Sequence, residues 1–338
     1  MQKKNPHLLF PIIIITTLIP AALSGCQPPP PPESAQIYAG ITLHEEQDVF
    51  IRELFRDIFL LIQQENTPYS DLILEMQDGS SDHSKQDSQI QRFLDLQYNV
   101  ICADPADRTL VSSFIQKAQE ADVPILFFNR MPVETDLQLY KNAYYLGTDT
   151  GETARLQAEI VLDAYSKENE SIDRNKDGIL SYAVLEGERD DPNTAVYTEY
   201  AVKELEEAGL SLEKAAGSMA NASRSQAKEL VTRWLNEEDF YVELLLCNHD
   251  EMALGALDAI EQEHADPIPI VGIGGTDEAK AAVDGGRMLG TVAIDKQEYA
   301  NVFLETIRAL GNGEGISDLP YADGSSIFLP TQKYTFKR

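Results

Sequence analysis

The sequence predicts an α/β protein of two doubly wound lobes, each a parallel sheet with helices on both faces. Three observations carry that prediction. From Gln36 onward, apolar strand-like runs alternate with amphipathic helical patterns, as parallel β-α-β units require. The strand-like runs form two similar series. The chain has 338 residues, 43% hydrophobic and 25% charged, which is globular composition at a length beyond one ordinary domain.

The elements follow in order. Lys3 and Lys4 precede the apolar run LLFPIIIITTLIPAALSG, a secretory signal too short for a stable membrane span. The run ends in Leu23-Ser24-Gly25-Cys26, which resembles the lipobox of bacterial lipoproteins and implies residues 1–25 as signal peptide with Cys26 acylated. Residues 26–35 then make a linker, in which Pro28 to Pro32 favour polyproline II and space the body roughly 15 Å from a membrane. In the first series the strands are IYAGITL, LILEMQ, NVICAD, VPILFFN and NAYYLGT. The second series reads ILSYAVLEG, SLEKAAGSM, YVELLLCN, IPIVGIGG and MLGTVAI. Val49 to Gln64 typifies the intervening helices, its apolar residues recurring at three and four. Cys102 and Cys247 fall in strands of different series and read as buried small hydrophobes without a disulfide.

In such sheets ligands bind beyond the carboxyl ends of the strands. Those ends hold His44 to Phe50, Asp104, Asn129, Asp190 to Asn193, Asn248 to Asp250, Gly274 to Asp277 and Asp295. This polar, amide-rich set, without clustered Arg or Lys, suits a neutral polyol better than an anion. With 56 acidic against 27 basic residues, a formal charge of −29 repels phosphate backbones and argues against nucleic acid. No nucleophile elbow, phosphate loop or zinc spacing is present, so no catalytic residue is assigned and the protein reads as a non-enzyme.

Asp173 to Ser181 reads DRNKDGILS, the start of a calcium loop. Asp173, Asn175 and Asp177 supply oxygens at positions 1, 3 and 5, Gly178 the turn, Ile179 a carbonyl and Ser181 position 9. Val184 occupies position 12, where a bidentate Glu belongs, and the loop runs into a strand instead of a helix.

In order and spacing, GITL with Asp48 to Phe50, SKQDSQI, VPILFFN, AYYLGTD, DRNKDG, NHDEMALGA and LGTV resemble the galactose/glucose-binding proteins, sugar receptors of ABC importers. The resemblance implies the type I periplasmic binding protein fold, two Rossmann-like lobes joined by three crossings. The N-terminal lobe would hold 36–148 and 294–325, and the C-terminal lobe 149–293 and 326–338, with crossings near Leu146 to Thr150, Val292 to Asp295 and Asp323 to Leu329. It also implies that Glu243 closes a structural calcium site with Asp173, Asn175, Asp177, the Ile179 carbonyl and Ser181.

For the sugar, the resemblance implies Asp48, Phe50 and Asn129 on one lobe. On the other, the family's contact positions read Asp191, Asn193, Tyr197, Ala222, His249, Gly274 and Ile294, nearly all changed. Losing buried hydrogen-bond partners costs about 1 to 3 kcal/mol each, so tight binding of an unmodified hexose is not expected. The expected protein is a lipid-anchored extracytoplasmic receptor for a galactose- or glucose-like or modified monosaccharide, with an ABC permease as partner. The alternative is a sugar-sensing co-receptor for a membrane kinase or chemoreceptor.

Overall fold

The computed structural model describes residues 36–64, 66–166, 172–188 and 192–336. The expected signal peptide, Cys26 and the sugar contact Asp191 lie outside them. Among the described residues no helix is long and apolar enough to cross a membrane.

The first sheet takes β1 (Ile37–Leu43), β2 (Leu72–Asp78), β3 (Val100–Ala103), β4 (Ile125–Phe128) and β5 (Ala143–Thr148). Helices α1 (Val49–Gln63), α2 (His83–Asp95), α3 (Ser112–Glu120) and the short α4 (Glu134–Leu137) connect them. The second sheet follows α5 (Thr150–Tyr165) and takes β6 (Ile179–Glu186), β7 (Ser211–Met219), β8 (Leu244–Cys247), β9 (Ile270–Gly274) and β10 (Gly290–Ile294). Its connections are α6 (Pro192–Glu207), α7 (Arg224–Leu235), α8 (Asp250–Gln262) and α9 (Asp277–Asp284). The chain then forms α10 (Lys296–Gly311), β11 (Ala322–Asp323), β12 (Ser326–Leu329) and β13 (Thr331–Thr335).

Strand order is β11-β12-β5-β4-β3-β1-β2 in one sheet and β13-β10-β9-β8-β6-β7 in the other. Pairing is parallel except where β11 meets β12 and β13 meets β10. All ten expected strands form. The three C-terminal strands were not anticipated, and they correct one boundary. Ser326 to Leu329, expected in the C-terminal lobe, pair in register with Tyr145 to Thr148 of β5, so the third crossing lies at Pro330, between β12 and β13.

Each sheet is buried on both faces, which is why its strands read as continuous apolar runs. In the N-terminal lobe, Ile41, Leu54, Phe128 and Phe303 fill the layer under α1 and α10, and Phe93, Phe114, Phe127 and Tyr145 fill the layer under α2 and α3. In the other lobe α5 and α6 cover one face, and α7, α8 and α9 the opposite one. Cys102 and Cys247 are buried free thiols. Several helices start at the cleft side with a side-chain cap. Asp48 accepts from the Ile51 N–H, Asp149 from Glu152 and Asp295 from Gln297 and Glu298, satisfying orphan donors at the helix starts.

Candidate ligand-binding cleft

Between the carboxyl ends of the two sheets lies a cavity of about 340 Å³. Every described sugar contact expected from the sequence lines it: Asp48, Phe50, Asn129, Asn193, Tyr197 and His249. Ala222, Gly274 and Ile294 line it as well.

On the N-terminal lobe the side chains are held rigidly. Phe50 stands edge-on to Tyr299, ring centroids 6.1 Å apart. Asn129 adopts φ 62°, a left-handed conformation that Asn tolerates better than most residues. Its N–H donates to the Tyr299 hydroxyl at 3.1 Å, its carbonyl accepts from Tyr145 at 3.1 Å, and its Nδ2 donates to Asp104 Oδ2 at 3.2 Å. Asp104 is 1% exposed, and burial pushes its carboxyl up to about 6.

On the C-terminal lobe, Asn193 Oδ1 accepts from Thr150 Oγ1 at 3.0 Å, and Tyr197 is buried at the head of the cleft. Asp250, also buried, accepts from the Thr276 N–H at 2.7 Å and from Thr291 Oγ1 at 2.6 Å. That network fixes the turn where Gly274 sits at φ +132° and Gly275 at φ +66°. A Cβ on Gly275 would lie 2.6 Å from Ala293 Cα, so only glycine fits between β9 and β10 here.

Sequence reasoning missed the residues that join the lobes. Glu188, just after β6, accepts from Arg130 Nη2 at 2.7 Å and lies 3.6 Å from His44 Nε2, both on the other lobe. Burial alone would push the Glu188 carboxyl up. The His44 and Arg130 interactions together outweigh it and hold the carboxyl at about 2. A second junction lies at the crossing after β10. Lys296, 6% exposed, donates to Glu53 Oε2 at 2.5 Å on α1 and to the Gly275 carbonyl at 3.1 Å and Asp277 Oδ1 at 3.1 Å on the facing lobe. Arg224 and Glu251 also line the cavity. These are charged residues in a strongly charged sequence, and nothing in their spacing marks them.

The calcium-type loop lies at the opposite end of β6. Gly178 takes φ +81°, and Asp173 accepts from the Lys176 and Gly178 N–H groups at 2.7 and 3.1 Å. Glu243, fully buried just before β8, reaches into the loop. Its Oε1 accepts from the Arg174 and Asn175 N–H groups at 2.7 and 3.2 Å, and its Oε2 from Ser181 at 3.2 Å. Ser181 Oγ donates to the Tyr241 carbonyl at 3.0 Å, and Asn175 Nδ2 to Asp177 Oδ2 at 2.9 Å. Among the described residues no three His, Cys, Asp or Glu side chains converge as a metal cluster. A hard cation here would therefore also draw on amide, hydroxyl and carbonyl oxygens, and the loop's all-oxygen donor set suits one.

Two lobes, three crossings and a cleft at the strand ends are shared by several ligand-binding folds, and a family comparison decides among them. The model for the periplasmic binding protein domain matches residues 61–315. The chain belongs to that family. Among curated relatives of this periplasmic binding protein, the D-galactose/methyl-galactoside binding periplasmic protein MglB of Haemophilus influenzae is 28% identical over 280 residues, covering 82% of this chain and 83% of its own. A putative rhizopine-binding protein of Rhizobium meliloti is 26% identical over 270 residues, covering 78% and 79%. An ABC transporter solute binding protein of Bacillus halodurans with bound myo-inositol shares the fold at TM-score 0.74 and 23% identity, covering 90% and 96%. A solute binding protein of Actinobacillus succinogenes with bound D-allose does so at TM-score 0.75 and 18% identity, covering 89% and 98%. These relatives are binding proteins and not enzymes, in agreement with the non-enzyme reading of the sequence.

Proposed function

We propose that this periplasmic binding protein is a receptor for a sugar or polyol that delivers its ligand to an ABC permease. The observation that carries the reading is the cleft itself. Asp48 and Asn129 offer hydroxyl partners, and Phe50 an apolar face, opposite Asn193, Tyr197 and His249 of the other lobe. A carboxylate with an aromatic ring is what a pyranose, polar at its rim and apolar on its C–H face, requires. The named ligands of its relatives, galactosides and myo-inositol among them, support the ligand class. Closure of the lobes on the ligand would present both rims to the permease.

Two finer features belong to the same proposal. Cys26 carries lipid and tethers the receptor to the outer face of the cell membrane through the proline spacer. Calcium binds Asp173, Asn175, Asp177, the Ile179 carbonyl, Ser181 and Glu243, and its role is structural, tying the loop before β6 to the entry of β8. A thermal-shift screen of monosaccharides and polyols, followed by calorimetry, tests the receptor reading. Saturable binding to a member of that set is expected, and no shift with any of them would refute it. Co-purification with a permease supports delivery, whereas co-purification with a membrane kinase would replace delivery by sensing.

A further inference from the structure

The hydrogen-bonding groups of the cleft are unevenly engaged. Several of its donors already have protein partners. Arg130 is bonded to Glu188, Arg224 to Asp258 at 2.7 Å and Glu278 at 2.8 Å, Asn129 Nδ2 to Asp104, and Asn221 Nδ2 to Gln226 at 2.9 Å.

The uncommitted groups include two carboxylates. Glu251, in the first turn of α8, is half-buried and makes no hydrogen bond or ion pair among the described residues. Asp48 uses Oδ1 to cap α1 and leaves Oδ2 unbonded on the facing lobe. His44, 6% exposed, directs Nε2 to Glu188 and Ser81, while its buried Nδ1 has no partner.

Charge points the same way. Burial disfavours the ionised form of Glu251, and although Arg224 favours it, Glu278, Asp250 and Asp48 add like-charge repulsion, so its carboxyl sits above the usual range. Both cavity arginines spend their charge on other carboxylates. An ammonium group brings three donors, no acceptor and the missing positive charge. A neutral hydroxyl brings one donor and an acceptor of its own.

We infer that the cleft selects a sugar or polyol carrying a protonated amine, with Glu251 and Asp48 receiving the ammonium from opposite lobes. This rests on the receptor reading and narrows its ligand class. It also revises the expectation of a neutral polyol: the cavity arginines are paired with Glu188, Asp258 and Glu278, which disfavours anions, and the carboxylate acceptors left over are ones that a neutral ligand would not neutralise.

Calorimetry at pH 6.5 on the whole exported domain, with calcium held constant, tests it with matched probes: D-galactosamine against D-galactose, D-glucosamine against D-glucose, and 1-amino-1-deoxysorbitol against sorbitol. In at least one pair the amine is expected to bind about tenfold or more tightly, with a gap that narrows as salt rises. The N-acetylated sugar, which lacks the charge, should lose the advantage. In Glu251→Gln the amine-to-neutral affinity ratio should fall towards one. Should that variant fold poorly, the wild-type pH profile serves instead, since amine binding must weaken as the ligand deprotonates above pH 8 while neutral-sugar binding does not. Neutral sugars binding as well as their amines in every pair would overturn this inference and leave the receptor reading intact. Failure of every probe to bind, charged or neutral, would overturn both.

Discussion

At the scale of single residues, the cleft keeps a carboxyl where solvent cannot reach it. Asp104 lies under Asn129 with one oxygen unpartnered, and its ionisation moves from 3.8 to about 6. Because the folded pKa is raised, the native state holds more protons than the unfolded chain between those values. Stability should therefore fall as pH rises through that window. Asp104→Asn removes the penalty and is expected to stabilise the protein at pH 7 by on the order of 2 kcal/mol, a gain that shrinks towards zero near pH 4. Urea unfolding at the two pH values measures it, and an equal effect at both would contradict the assignment. Phe303, fully buried between α10 and the first sheet, sets the packing scale, and Phe303→Ala should cost about 3 to 5 kcal/mol in the same assay. The apolar run around Phe128 made such core positions legible in the sequence. Asp104 was legible only as a polar strand end, because its shift depends on burial under Asn129.

At the scale of elements, β6 and β8 connect two sites. Their amino ends hold Asp173 to Ser181 and Glu243, and the segments just beyond their carboxyl ends hold Glu188 and His249. Calcium is expected to raise the melting temperature, chelator to lower it, and Glu243→Gln to abolish the difference; a melting curve indifferent to calcium and chelator would remove the site. The loop itself was readable, since Asp, Asn, Asp and Gly at fixed offsets have few other uses. Its closing carboxylate came from the family resemblance alone, because Glu243 is brought in by strand pairing 62 residues from Ser181 and no local spacing marks it. The same reason hid β12. Ser, Ile, Phe and Leu are too few to show a period, and only register against Tyr145 to Thr148 makes them a strand.

At the scale of the whole molecule, the lobes meet through Glu188 on one side and Lys296 on the other. The Glu188 carboxyl titrates near 2 with the lobes in contact, against an ordinary 4.5. Its contribution to closure is therefore complete above pH 4.5 and is lost as pH falls towards 2. Small-angle scattering should show Glu188→Gln more extended than wild type at pH 7, with the difference narrowing as the solution is acidified. Equal radii of gyration at neutral pH would deny the junction any role. Little of this was visible in the sequence: a Glu, an Arg and a His far apart in the chain acquire a joint role only when two separate sheets face each other.

The switch at Pro330 has a further consequence, for how the protein is made. The sheet of the first lobe is completed by β12, which follows β6 to β10 of the second in the chain, so that lobe cannot finish folding while most of the second is still being synthesised. Contacts between segments so far apart in the chain slow folding, so completion of the first lobe is tied to the synthesis of the second.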